Sequence, residues 1–98
     1  MSERISIAQA KALIAAETCN IIDIRDAQSY AESHVPEATH LEGNAVNAFI
    51  AASNPDLPLL IYCYNGNSSQ SAADYFSSLG FERCYSVDGG YEEWKFKR

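Results

Sequence analysis

One cysteine stands where a thiol can do chemistry. Cys63 follows the apolar run Leu59–Tyr62 and begins a polar loop that reads Cys-Tyr-Asn-Gly-Asn-Ser-Ser. The apolar run is typical of a strand buried on both faces, and the segment 69–79 is typical of a helix with one apolar face. We therefore expect the thiol at the carboxyl end of a strand, facing the amino end of a helix.

A loop in this position is expected to stabilise negative charge on the sulfur. The free N–H groups at a helix start point back toward the loop, and a turn at Gly66 directs further N–H groups inward. Asn65 and Asn67 tolerate positive φ better than other non-glycine residues. Such a cradle would lower the pKa of the Cys63 thiol and hold a small oxyanion against it. The alternative, a small buried core residue, is disfavoured because the segment 65–69 contains no apolar residue.

The other residues with reactive side chains are predicted to be structural. Cys19 and Cys84 lie in apolar strand-like segments and are expected in the core. His34 and His40 have no acid or nucleophile at a recognisable spacing. The segment 23–25, Asp-Ile-Arg, follows a strand, and an ion pair or a network of hydrogen bonds to the backbone that locks adjacent loops is favoured there over a catalytic role. No metal site and no cofactor is predicted, because neither metal-ligand spacing nor a nucleotide-binding glycine pattern is present.

Size, charge and cysteine usage exclude several classes of protein. The 98 residues, 47% of them hydrophobic, suffice for one domain over residues 1–98 with its own core. A net charge of −6, with seven scattered Lys and Arg residues, argues against nucleic acid and membrane surfaces as partners. No apolar run reaches the roughly 18 residues of a membrane span. Three cysteines without a CxxC pair, and no recognisable secretory signal, favour a cytoplasmic location.

Helix and strand signals alternate along the chain. Ser6 and Gln9 form a capping-box pattern, Asn44 is expected to cap the third helix, and Gly80 to end the fourth. Strands are predicted at 19–24, 40–41, 59–62 and 84–87, and helices at about 6–17, 26–32, 44–53, 69–79 and 91–96. This alternation predicts an α/β fold: a parallel sheet with helices on both faces and a site beyond the carboxyl ends of the strands.

Four segments, in this order, resemble the single-domain rhodaneses. They are Asp-Ile-Arg-Asp at 23–26, Ser-His-Val-Pro-Glu-Ala at 33–38, the loop at 63–69, and Val-Asp-Gly-Gly-Tyr-Glu-Glu-Trp at 87–94. At 33–38 that family often has Gly-His-Ile-Pro-Gly-Ala. The resemblance covers nearly the whole chain and implies a single rhodanese-like domain with a small, five-stranded parallel sheet.

The resemblance also implies a double-displacement sulfur transfer. Cys63 would be the catalytic nucleophile that takes the outer sulfur of thiosulfate as a persulfide, a form of covalent catalysis. The acceptor would be cyanide, or a dithiol protein such as thioredoxin. The residues implied in substrate binding are those of the loop: Tyr64, Asn65, Gly66, Asn67, Ser68 and Ser69.

The loop departs from the family pattern in its charge. Many rhodaneses carry arginine where this chain has Ser68, and related cysteine phosphatases would carry it at Ser69. No basic residue lies between Cys63 and Ser71. We therefore expect weak donor affinity, because charge-assisted hydrogen bonds to an anion are missing.

Two other functions compete with sulfur transfer. A phosphatase or arsenate-reductase-like enzyme is disfavoured by the missing arginine and by the length of the loop. A non-catalytic rhodanese-like binding module is disfavoured by the intact Cys63, which inactive versions commonly lack.

Overall fold

A five-stranded, all-parallel sheet forms the centre of the protein in a computed structural model that describes residues 2–96. The strands are β1 (Glu3–Ile5), β2 (Asn20–Asp23), β3 (Thr39–His40), β4 (Leu59–Tyr62) and β5 (Cys84–Val87). The helices are α1 (Ile7–Ala16), α2 (Ala27–Glu32), α3 (Val46–Ala52), α4 (Ser68–Ser78) and α5 (Gly90–Trp94). The strand order is β1-β5-β4-β2-β3, so β4 lies at the centre of the sheet.

Helices cover both faces of the sheet, as the sequence predicts. On β4, Leu60 and Tyr62 belong to one core cluster, which also receives residues of α1, α2 and α5. Leu59 and Ile61 belong to a second cluster, which receives residues of α3 and α4. Successive side chains of a strand point to opposite faces, so a strand buried on both faces must be apolar throughout. Within residues 2–96, no helix has both the length and the apolar character needed to cross a membrane.

Local signals at the helix ends have mixed outcomes. The Ser6 capping box is confirmed: the Ser6 hydroxyl accepts the N–H of Gln9, and the Gln9 side chain accepts the N–H of Ser6, both at 3.1 Å. Gly80 follows α4 with φ +104°, as expected for a helix stop. The Asn44 cap is wrong, because Asn44 lies inside a short 3-10 turn, Gly43–Ala45, that runs directly into α3.

Two of the observed strands differ from those that the residue pattern predicts. β1 has no strand signal of its own: two of its three residues are exposed, and it forms by pairing with the edge of β5. The residue pattern alone predicts four strands, and the fifth is implied by the family resemblance. β3 is observed one residue earlier than predicted and has only two residues, paired with β2.

The predicted Asp23–Arg25 ion pair fixes the loop after β2. The side chains of Asp23 and Arg25 are buried, at 0% and 7% exposure of the residue. Arg25 Nη2 donates to Asp23 Oδ2 at 2.7 Å and to the carbonyl of Ser33, beyond α2, also at 2.7 Å. The Arg25 guanidinium also lies 4.3 Å from the ring centre of Tyr91 on α5. One cation therefore joins the end of β2 to two helices.

Replacing Asp23 should be strongly destabilising. Asp23→Asn leaves the Arg25 guanidinium buried without a counter-charge, and breaking a buried pair in this way costs about 3–5 kcal/mol. Urea unfolding measures the loss. The control is Glu17→Gln, which breaks the exposed Glu17–Arg83 pair (2.7 Å) and should change stability far less. Equal losses in the two variants would contradict this role for Asp23.

Candidate active site

Cys63 follows the last residue of the central strand β4, as predicted, and only 2% of it is exposed. Its sulfur accepts backbone N–H groups from Gly66 at 3.2 Å and from Ser69 at 3.4 Å. The Ser69 hydroxyl oxygen lies 3.4 Å from the same sulfur. Gly66 has φ +95°, which turns the chain back so that its N–H faces the thiol. The loop and the first turn of α4 thus surround the sulfur with neutral donors.

The remaining loop residues shape the turn or face outward. The Asn65 side chain accepts the N–H of Asn67 at 3.2 Å, and Asn67 immediately precedes α4 with an ordinary negative φ of −86°. Ser68 is the exposed first residue of that helix. The Tyr64 hydroxyl donates to the carboxylate of Asp26 and so links the loop to the start of α2. Of the predicted substrate-binding residues, Gly66 and Ser69 therefore hold the sulfur through N–H hydrogen bonds, and the backbone N–H of Asn65 also stabilises its charged form.

The three thiols have different electrostatic environments. Burial acts to raise the pKa of the Cys63 thiol, but hydrogen bonds outweigh it and hold that pKa below its ordinary value. The donors are the Ser69 hydroxyl and the backbone N–H groups of Ser69, Asn65 and Gly66. Burial raises the pKa of Cys84 to about 11, and it also raises the pKa of the partly buried Cys19. Cys63 is thus the thiol that ionises first.

The two histidines hold structural positions. The His34 ring stacks on Tyr30, and its Nδ1 lies 2.7 Å from the Tyr30 carbonyl oxygen. His40 Nε2 lies 2.6 Å from the carbonyl oxygen of Arg25. In residues 2–96, no group of three His, Cys, Asp or Glu side chains is placed to hold a metal ion.

The start of α5 supports the loop, a role that sequence reasoning missed. The N–H groups of Tyr91 and Glu92 donate to the carbonyls of Cys63 and Tyr64, each at 2.9 Å. Gly90, with φ +59°, lies so close that a Cβ there would stand 2.6 Å from the Cys63 carbonyl oxygen. The signal was present in the Asp-Gly-Gly turn, because adjacent glycines are typical of a close backbone approach.

A second missed residue is Ser86 on β5. Its side chain lies beneath the loop, 2.7 Å from the Ser69 hydroxyl oxygen. Ser86 is 1% exposed, and a serine inside an apolar strand is itself a signal that a polar partner faces it.

Residues 6–97 match the family model of the rhodanese-like domain. The chain belongs to the rhodanese-like family. It is 52% identical to the thiosulfate sulfurtransferase GlpE of Pseudomonas entomophila and 50% identical to that of Pseudomonas putida. Both alignments span 97 residues and cover 97% of this chain and 88% of the relative.

Solved structures of other proteins share the fold. The protein SSP1007 of Staphylococcus saprophyticus superposes with a TM-score of 0.80 at 27% identity, over 94% of this chain and 92% of that one. The human single-domain sulfurtransferase TSTD1 superposes with a TM-score of 0.75 over 97% of this chain and 96% of its own. Its sequence identity is 21%, so it bears on the fold alone.

Titration should separate Cys63 from the other thiols. Because the Cys63 pKa is lowered and those of Cys19 and Cys84 are raised, the first thiolate to form as pH rises should be that of Cys63. The ultraviolet absorbance of thiolate measures this without needing access to the buried sulfur. Cys63→Ser should remove the low-pH step, and Cys84→Ala should leave it intact. Persistence of the low-pH step in Cys63→Ser would contradict the assignment.

Gly90→Ala should displace the loop as well as strain the turn. The new Cβ would meet the backbone of Cys63 and Tyr64 at 2.6 Å, in addition to about 1–2 kcal/mol of left-handed strain. Gly80→Ala is the matched control, since Gly80 has φ +104° but no neighbour within 4 Å of a Cβ. Denaturation should show a larger loss for Gly90→Ala, with a raised Cys63 pKa in that variant alone. Identical behaviour of the two variants would show that α5 does not support the loop.

Proposed function

We propose that this protein is a thiosulfate sulfurtransferase in which Cys63 carries the transferred sulfur as a persulfide. The observation that carries the proposal is the Cys63 sulfur itself, held by the N–H groups of Gly66 and Ser69 and lying within 3.4 Å of the Ser69 hydroxyl. Relatives about half identical to this chain, over nearly its whole length, bear the name of this activity.

The first half-reaction loads the enzyme. The Cys63 thiolate attacks the outer sulfur of thiosulfate, a sulfur–sulfur bond forms, and the bond to the inner sulfur breaks. Sulfite leaves with the bonding electron pair and so takes up the negative charge of the nucleophile, while the terminal sulfur of the persulfide keeps the negative charge it had in thiosulfate. The lowered pKa of Cys63 raises the thiolate fraction at neutral pH and so favours this step.

The second half-reaction unloads it. An acceptor attacks the terminal sulfur, and Cys63 departs as a thiolate into the same N–H cradle. Cyanide would leave as thiocyanate. A dithiol protein such as thioredoxin would take the sulfur on one thiol, then form its own disulfide with the second thiol and release hydrosulfide. Such acceptors belong to the reducing cytoplasm that we propose as the location of the protein.

The neutral loop favours sulfur transfer over phosphate chemistry. Backbone N–H groups hold a diffuse sulfur anion, whereas phosphoryl transfer gains most from an arginine that clamps the oxyanion. The chain has no basic residue between Cys63 and Ser71. The same lack of charge gives weak binding of the donor, so its Michaelis constant should lie far above the micromolar range. Para-nitrophenyl phosphate should be hydrolysed poorly or not at all.

A cavity of about 270 Å³ beside the loop supplies room for a reactant. Tyr64 lines it from the loop, and the neighbouring elements contribute two basic and two acidic side chains, those of Arg25, Lys95, Glu32 and Glu92, so the lining has no excess of positive charge. The binding of the loop residues Asn65, Asn67 and Ser68 to the donor is part of this proposal, since all three are exposed near the thiol.

Intact-mass spectrometry after thiosulfate treatment tests the proposal. The wild type should gain the mass of one sulfur atom, and cyanide should remove it as thiocyanate. Cys63→Ser should gain nothing, whereas Cys84→Ser should load as the wild type does. Loading that persists in Cys63→Ser would refute the assignment, and a wild type that never loads would favour a binding module.

A further inference from the structure

Three side chains form a buried line that begins at the reactive sulfur. The Cys63 sulfur lies 3.4 Å from the hydroxyl oxygen of Ser69, which lies 2.7 Å from the hydroxyl oxygen of Ser86. Ser69 and Ser86 are 0% and 1% exposed. Ser69 is on α4 and Ser86 is on β5, so the line connects the thiol to the sheet through the helix.

The number of protons fixes the direction of the hydrogen bonds along this line. A serine hydroxyl has one proton to donate, and a thiolate can only accept. When Cys63 is a thiolate, Ser69 gives its proton to the sulfur, so the short contact between the two serines requires Ser86 to donate. When Cys63 is protonated, its S–H can donate to Ser69 and the line can reverse.

We propose that Ser86 is a positioning residue that keeps the Ser69 hydroxyl donating to the Cys63 thiolate. The inference rests on the proposed function to the extent that the thiolate is the nucleophile and the leaving group of sulfur transfer. Ser86 touches neither the donor nor the sulfur, and its effect reaches Cys63 through Ser69.

The effect should favour the thiolate over the thiol. In the thiolate form, each hydroxyl dipole points toward a negative charge, and hydrogen bonds to charged groups are roughly twice as strong as neutral ones. Donation by Ser86 polarises the Ser69 hydroxyl and strengthens its bond to sulfur. In the thiol form the line begins with S–H, a weak donor. Removing the Ser86 hydroxyl should therefore destabilise the thiolate form of Cys63 more than the thiol form, and so raise the Cys63 pKa.

Several charged groups on the surrounding elements have partners of their own, and α5 and the residue after it add Glu92 and Lys95 at the cavity beside the loop. On the loop after β2, Asp26 bonds to Ser29 and Tyr64. On the loop after β5, Asp88 pairs with Arg4 at 2.7 Å. On α4, Asp74 bonds to Ser2. The other titratable group of β5 on the face toward α4 is Cys84, whose sulfur lies 3.2 Å from the Ala73 carbonyl oxygen.

A purely structural role would predict a different outcome. Two buried hydroxyls must find partners, and Ser69 and Ser86 could satisfy each other without affecting the thiol. In that case Ser86→Ala would lower the stability of the fold and leave the Cys63 pKa unchanged. The Cys63 titration therefore separates the two roles.

The test is a titration of the thiolate absorbance in protein that has not been treated with a sulfur donor. The curve of Cys63→Ser is subtracted from the curve of the wild type and of each variant, which leaves the titration of Cys63. Ser69→Ala should raise the Cys63 pKa by about one pH unit, the size expected for a lost hydrogen bond to a charged group. Ser86→Ala should raise it by roughly 0.3–0.5 pH units, the size expected for lost polarisation of one bond. In the Ser69→Ala background, Ser86→Ala should add nothing, because the intermediate hydroxyl is gone.

Two further variants complete the test. Cys84→Ala, on the same strand face and against the same helix, is the control and should titrate as the wild type. Ser86→Cys keeps a weak donor on a slightly larger side chain, so it should give a smaller rise in the Cys63 pKa than Ser86→Ala. Because this variant adds a thiol of its own, its Cys63 titration is obtained by subtracting the curve of the Cys63→Ser/Ser86→Cys double variant. An unchanged pKa in both Ser86 variants, or equal shifts with and without Ser69, would overturn the proposal.

The titration uses protein without any sulfur donor, so its result does not depend on sulfur transfer. A shift in Ser86→Ala together with a wild type that never loads sulfur would refute the proposed function and leave the role of Ser86 intact. If the wild type loads sulfur normally but the Cys63 pKa does not shift in the Ser86 variants, the proposed function stands and the role of Ser86 is refuted.

Discussion

The hydrogen bonds from the N–H groups of Gly66 and Ser69 to the Cys63 sulfur are the interactions on which the site depends. A buried thiol has an elevated pKa unless donors compensate, as the raised pKa of Cys84 illustrates. Cys63 is buried to a similar degree, and its pKa is nevertheless lowered. The difference between the two thiols arises from where each lies on its strand: Cys84 begins β5, whereas Cys63 follows β4 and meets the first turn of α4.

The surrounding elements hold this geometry in place. The first N–H groups of α5 bind the carbonyls of Cys63 and Tyr64, and the Gly90 backbone fits where any side chain would collide. Tyr64 is tied to Asp26 at the start of α2, and the buried Arg25 joins β2 to α2 and α5. Because β2, β4 and β5 are parallel neighbours, the segments that follow them meet at one edge of the sheet. The sheet therefore determines where the donors can converge.

Much of this arrangement could be predicted from sequence, because the signals were local. The apolar run of β4, the small polar residues after it and Gly66 together predict a thiol in a turn before a helix, and the capping box predicts the start of α1. β1 could not be predicted in this way, since its pairing with β5 is a long-range contact between Glu3–Ile5 and residues 85–87. Ser86 and Gly90 each have a local signal, a polar residue in an apolar strand and a Gly-Gly turn, but these signals do not identify their partners, which lie far away in the chain.

Glu37 shows how a family pattern can be explained by backbone geometry. Glu37 has φ +72° in a turn that the N–H of Ala38 closes onto the carbonyl of Val35 at 3.0 Å. The rhodanese pattern often has glycine at this position, which is the residue that adopts positive φ without strain. Here a glutamate adopts a positive φ, a backbone conformation that a glycine would adopt without strain.

In the proposed mechanism, a neutral cradle of N–H groups and one hydroxyl holds a nucleophilic sulfur and then a persulfide. A crystal structure of the protein after thiosulfate treatment tests it most directly. We predict added density one sulfur–sulfur bond, about 2.05 Å, from the Cys63 sulfur, with no lysine or arginine side chain in contact with it. An unmodified Cys63 with the added sulfur on Cys19 or Cys84, or a terminal sulfur held by a basic side chain, would contradict the account.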